Sequence, residues 1–188
     1  VKTQFDELPA IVKKLADFES ESAYEELFNV LYPRLKKFAF CILHSHEEAE
    51  EVAEDVMIAL WRRRKTLPEI NNIQVYALIS AKNLSLNMLK KSCKHRASSL
   101  DDLDVNFFFD NSTPEQIIID HELQTRLEQA IQSLPPKCQL VFKLAKEDGL
   151  SYREIGEVLS ISVKTVDAHL VAATQKLAKI FKEEFQIK

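Results

Sequence analysis

The sequence predicts an all-α protein: two small helical domains joined by an acidic linker. Three observations carry this. The 188-residue chain contains two glycines, Gly149 and Gly156, and little of the residue-by-residue alternation that marks strands. Apolar residues instead recur every three or four positions in several separate stretches, as amphipathic helices require. Between those stretches, residues 97–122 carry seven acids and no lysine or arginine, a composition that resists burial. At this length two domains of about 60 to 90 residues each can hold modest cores.

In the first domain, residues 1–96, the apolar residues Tyr24, Leu27, Phe28, Leu31, Tyr32, Leu35 and Phe38 keep helical spacing. They predict a helix from Ser22 to Leu43, kinked or broken at Pro33. Val52, Val56, Ala59 and Leu60 predict a second helix from Glu47 to Arg64. The segment Thr66 to Ile73 reads as a loop with two adjacent amides, Asn71 and Asn72. A third helix follows from Gln74 to Ser92, with Tyr76, Ile79, Leu86 and Leu89 as core positions. Residues 97–112 form the acidic linker, in which Phe107, Phe108 and Phe109 could dock on a neighbour. The second domain, residues 113–188, opens on Thr113-Pro114, a cap followed by proline at the first helical position. That helix runs to Ser133, Leu134-Pro135-Pro136 breaks it, and another helix runs to Glu147.

The stretch from Gly149 to Leu170 reads as two short helices joined by a tight turn. Ser151 and Glu154 have the S-x-x-E spacing of a capping box, in which each side chain satisfies an amide of the other's end. Ile155, Val158 and Leu159 give the first helix one apolar face. Ser162 then caps a second helix whose Val166, Leu170, Ala173 and Leu177 pack inward. Lys164, Thr165, Ala168, His169 and Ala172 remain on the outward side. A capped helix pair with small and polar outward residues is the geometry that places one helix in a DNA major groove.

The net charge of −4 conceals strong segregation. From His44 to Leu60 there are six acids and no lysine or arginine; from Trp61 to Arg96 nine bases face one acid. Blocks of alternating sign imply separate surfaces for separate partners, because local potential rather than net charge steers association. No apolar run approaches the roughly 20 residues that span a bilayer, so a cytoplasmic protein is expected. The cysteines Cys41, Cys93 and Cys138 lie far apart and read as reduced, structural thiols. No catalytic group, metal site or cofactor is expected. His44-Ser45-His46-Glu47 lacks the i, i+3 or i+4 spacing of helical metal ligands. Asp102, Asp104 and Asn106 begin a calcium-loop pattern, but Phe107 stands where that loop needs glycine and Thr113 where it needs glutamate.

The order of these segments resembles bacterial sigma-70 factors of the extracytoplasmic-function group. Ala49 to Trp61 is similar to the family's A-E-D-x-x-Q-E-x-F-x-x-L-W segment, with Glu54 in place of the usual glutamine. Asn72 to Lys91 resembles the promoter-opening segment that follows, Ala81-Lys82-Asn83 standing for its Ala-Arg-Asn. Leu134-Pro135-Pro136-Lys137, Gly149 to Ile155 and Val163 to Val166 resemble the family's C-terminal domain. The resemblance runs from Ser22 to Phe181 and implies a subunit without chemistry of its own, which brings RNA polymerase to chosen promoters. It implies that Glu51, Glu54 and Asp55 dock on core polymerase, against the coiled-coil of the largest subunit, with the flap of the second-largest subunit as a further contact. It implies that Asn71, Asn72, Lys82, Asn83, Asn87, Lys90 and Lys91 act at the −10 element, capturing an unstacked base and holding the single strand. Tyr76 serves there as a stacking surface or as core, and Arg62 to Lys65 as phosphate contacts or as a basic helix end. Ser162, Lys164, Thr165, Ala168 and His169 would meet the −35 element, with Arg153 as a backbone clamp. An inhibitory anti-sigma partner, often membrane-bound, is implied by resemblance alone. Two other classes compete: a conventional helix-turn-helix regulator that binds duplex operator unaided, and a helical adaptor that binds only proteins.

Overall fold

A computed structural model describes residue 5 and residues 7–92 and 129–185. Every regular element among them is helical. The linker at 97–112, the helix start at Thr113-Pro114 and most of the helix expected to reach Ser133 lie outside the described residues. So do Cys93 and the incomplete calcium pattern. The chain divides into two compact units.

The first unit contains α1 (Leu8–Phe18), α2 (Glu21–Leu43), α3 (His46–Arg62), a 3-10 helix (Arg64–Glu69) and α4 (Ile73–Ser92). The sequence reading missed α1, although Leu8, Ile11, Val12 and Leu15 repeat at helical spacing and all four are buried. α2 begins where expected, with Ser20 Oγ accepting from the Ala23 amide at 3.3 Å. It is one helix and is not broken at Pro33, which faces solvent. There the lost amide leaves a carbonyl one turn back for water to satisfy. In α3, Ser45 accepts from the Glu48 amide, and Val52, Ala53, Val56, Met57 and Leu60 line the buried face. Ala59, expected in the core, is exposed. One residue is 100° of helix rotation, and Leu60 holds the inward direction.

Thr66 to Glu69 is not open loop as expected: it belongs to the 3-10 helix, whose Leu67 is fully buried. α4 also differs from its predicted core. Val75, Ala77, Leu78, Ala81, Ser85 and Leu86 are buried, whereas Tyr76, Ile79 and Leu89 are half-buried. A helix apolar on most sides has no unique inward face in sequence; packing against α2 and α3 chooses one.

The second unit contains α5 (Pro136–Lys146), the larger part of α6 (Tyr152–Leu159), whose Glu157–Leu159 is grouped with the first unit, and α7 (Val163–Phe185), preceded by a helical turn at 129–132. Ala130, Leu134, Cys138, Ala173 and Leu177 pack as one cluster. Ile155 and Val158 on α6 and Val166 and Leu170 on α7 are buried as expected. The turn is close. A Cβ on Gly156 would stand 2.9 Å from the Ile161 backbone carbonyl, whose own amide donates to the Gly156 carbonyl at 3.0 Å. Only glycine leaves room for that approach.

Candidate nucleic-acid interface

α3 and α4 together carry two surfaces of opposite character. Glu51, Glu54 and Asp55 are all exposed on α3, one turn apart, while the neighbouring Glu50 is half-buried and accepts from Lys36 Nζ at 2.5 Å. That contact holds the Glu50 carboxyl below its ordinary range. The acid-rich helix is tolerated partly because Glu47 and Glu48 sit in its first turn, beside unsatisfied amides.

On α4, Asn83, Asn87, Lys90 and Lys91 are exposed and spaced to share one side of the helix. Lys82 departs from the expected polar face. It lies in register with Leu78, Ser85 and Leu86, is buried, and burial pushes its ammonium below the usual lysine range. An open groove separates the two helices, with Glu51 and Asp55 on one wall and Asn87, Lys90 and Lys91 on the other. Acid and base therefore face each other across a shared cleft.

The segment before α4 is more ordered than its composition suggested. Asn72 Oδ1 accepts from the amides of Gln74 at 3.1 Å and Val75 at 3.2 Å, which makes Asn72 the N-cap of α4. Asn71 beside it is exposed. Tyr76 is half-buried, and its hydroxyl accepts from Arg63 Nη1 at 2.7 Å, with the guanidinium 5.6 Å above the ring. Sequence reasoning missed this pairing; the two residues are 13 apart and only the return of α4 beside α3 brings them together. Trp61 is half-buried, with Tyr24 edge-on at 4.9 Å and the Arg64 guanidinium over it at 4.7 Å. His46 stacks on Phe40 at 4.3 Å, and His44 ends α2 with φ 58°. Among the described residues no cluster suits a metal ion.

In the second unit the capping box forms as expected. Glu154 N–H donates to Ser151 Oγ at 3.3 Å and Ser151 N–H to Glu154 Oε2 at 2.8 Å. Ser162 Oγ accepts from the Thr165 amide at 3.0 Å and lies 2.8 Å from the Thr165 hydroxyl, so both side chains fix the start of α7. Arg153, Lys164, Ala168 and Ala172 are exposed. Val163 and Val171 join them, two apolar side chains that the sequence reading did not place on this face. His169 is turned partly inward. Its Nδ1 lies 3.4 Å from Cys138 Sγ on α5, whose thiol is held above its ordinary range by burial.

Two family models match in order: sigma-70 region 2 over residues 27–94 and sigma-70 region 4 over residues 124–177. The chain belongs to the sigma-70 family. Its curated relatives place it in the extracytoplasmic-function group. It is 26% identical to the extracytoplasmic-function sigma factor RpoE of Cereibacter sphaeroides, over 89% of this chain and 91% of that one. It is 23% identical to SigW of Bacillus subtilis, over 85% and 89%. With SigE of Mycolicibacterium smegmatis it shares 24% over 89% of this chain, but spans 65% of that relative's length. The fold is similar to that of the sigma factor RpoE of Bartonella quintana, solved with the anti-sigma factor NepR: TM-score 0.56, 17% identity, covering 85% of this chain and 96% of that one. It is also similar to CnrH, solved with the cytosolic domain of CnrY: TM-score 0.53, 16% identity, covering 93% and 97%. The chain is thus a transcription initiation factor. No described helix is long and apolar enough to cross a membrane.

Proposed function

We propose that this sigma factor divides its work by residue as follows. Residues 1–96 dock on core RNA polymerase and open the promoter, residues 97–112 tether, and residues 113–188 read the −35 element. The observation that carries this reading is the pair of opposed stripes on neighbouring helices: exposed Glu51, Glu54 and Asp55 on α3, and exposed Asn83, Asn87, Lys90 and Lys91 on α4. Carboxylates on one helix face suit a basic coiled-coil of the largest subunit, where charge speeds and orients docking. A neighbouring amide and lysine face suits the backbone of a separated strand. Asn71 is the exposed amide available to a flipped base, and Arg63 with Tyr76 offers a planar surface beside it. At the −35 element Lys164 can reach a phosphate or base edge. Val163 and Val171 suit thymine methyl groups, and Arg153 clamps the backbone.

The second unit is sized for assisted binding. The N-terminal half of α7, residues 163–173, presents one lysine, Lys164, and several small residues, while Asp167 repels phosphate. Both domains held at fixed spacing by polymerase supply the affinity that neither has alone. The protein works in the cytoplasm and performs no chemistry itself. Bartonella RpoE was solved with an anti-sigma factor, and a partner of that kind is proposed here too.

The reading is tested by mixing the purified protein with core polymerase and measuring association and run-off transcription. Replacing Glu51, Glu54 and Asp55 together by alanine should weaken association on the order of tenfold or more at low salt. Association equal to the parent's would mean that α3 is not the docking helix.

A further inference from the structure

α1 precedes the residues that the region 2 model matches, which begin at 27. Just past its end, Glu19 adopts a left-handed backbone, φ 47°, and turns its carboxylate toward the far end of α3. Its Oε2 accepts from Arg64 Nη2 at 2.5 Å, and its Oε1 lies 2.9 Å from Lys65 Nζ. Arg64 is held twice more, donating to the Trp61 carbonyl at 3.2 Å and lying over the Trp61 ring. Lys65 is 71% exposed and faces water wherever Glu19 does not hold it. These two cations end the run Arg62-Arg63-Arg64-Lys65, whose Arg63 reaches Tyr76 at the start of α4. One acid thus engages half of the basic run beside the surface assigned to the −10 element.

We propose that Glu19 is a specificity-determining residue of that surface, withholding Arg64 and Lys65 from the DNA backbone and leaving Arg62 and Arg63 to meet phosphate. The inference rests on the −10 assignment made above. Phosphate contacts strengthen binding to every sequence alike, and each adds about one to the salt dependence of the affinity. Base contacts alone discriminate. Specificity is a difference between two affinities, so a cation removed from the common part protects the difference. Glu19 also repels phosphate itself. Because it is 45% exposed, its ion pairs work in water and contribute little to folding. Its loss therefore alters DNA binding more than stability.

The test uses the full chain assembled with core polymerase. Two DNA probes are compared: a promoter fragment recovered by run-off transcription, and the same fragment with its −10 segment scrambled. Glu19→Gln should bind both probes more tightly and steepen the salt dependence by about one to two. The preference for the true promoter should fall severalfold. Adding Lys65→Gln should reverse most of the change, and Lys65→Gln in the parent should leave slope and preference as they were. An unchanged slope in Glu19→Gln overturns the proposal, as does a lower slope in Lys65→Gln alone. That second arm stands even if Glu19→Gln folds poorly. Arg62→Gln and Lys90→Gln separate the two levels of inference. If each lowers the slope by about one while Glu19→Gln does nothing, only the role of Glu19 is wrong. If neither lowers it, the −10 assignment is wrong as well.

Discussion

In the first unit, the buried faces and the faces proposed to work lie on different sides of the same helices; in the second, both lie within a single turn of one helix. α3 buries Val52, Val56, Met57 and Leu60 and exposes Glu51, Glu54 and Asp55, and its neighbours α2 and α4 cover the buried side. α7 buries Val166, Leu170 and Ala173 between the exposed Lys164, Ala168, Val171 and Ala172, with far less around it. The second core is built largely of leucine and valine, with few large side chains, and depends on a tight turn and two caps. A large core tolerates charged surfaces of either sign. A small one must economise, and it does so with backbone geometry.

The strongest way to break the contrast is Gly156→Ala. A methyl 2.9 Å from the Ile161 carbonyl has only backbone to push against, so the second unit should lose about 1 to 3 kcal/mol. Thermal melting followed by probes in each unit should show the second transition fall while the first stays. Equal stability would mean that the turn relaxes freely and that the second unit is not limited by it.

A smaller effect sharpens the contrast inside the first unit. Asn72→Ala removes the cap of α4 and should cost about 1 kcal/mol, whereas Asn71→Ala should change stability by less than about 0.5 kcal/mol. Permanganate probing of the open promoter should nevertheless show reduced strand separation in Asn71→Ala. Asn72→Asp keeps a capping oxygen and should recover the stability lost in Asn72→Ala. If Asn71→Ala melts promoters normally, base capture lies elsewhere.

The smallest effect concerns pH. Arg64 and Lys65 hold the Glu19 carboxyl down from 4.5 to about 2, with hydrogen bonds to Arg64 and then Lys65 as the main causes. A depressed carboxyl stabilises the fold above its unfolded value and loses that contribution as pH falls through its folded value. The melting difference between parent and Glu19→Gln should therefore be slight and constant from neutral pH to about 5, then fade toward pH 2. A difference that grows on acidification would mean that other groups dominate the acid limb.

Much of the site was legible. The capping box Ser151–Glu154, the four inward residues of α7 and the exposed acids of α3 follow from spacing and side-chain chemistry, which act over one or two turns. The cap role of Asn72 was also readable, since asparagine before an apolar run is a helix-start signal. α1 was readable too, from Leu8, Ile11, Val12 and Leu15. Other features were not. Lys82 looks like any basic residue of a DNA-facing helix until packing chooses which side of α4 is covered. His169 looks outward until α5 brings Cys138 against its ring.

Local order, then, was written in the chain: where helices start, which residues repeat inward, and which blocks carry charge of one sign. These depend on neighbours within a few positions, where geometry is fixed by the backbone alone. Tertiary structure decided which partners meet across distance. Arg63 finds Tyr76, Glu19 finds Arg64 and Lys65, and the acids of α3 face the lysines of α4 because helices pack by shape as well as by sequence spacing.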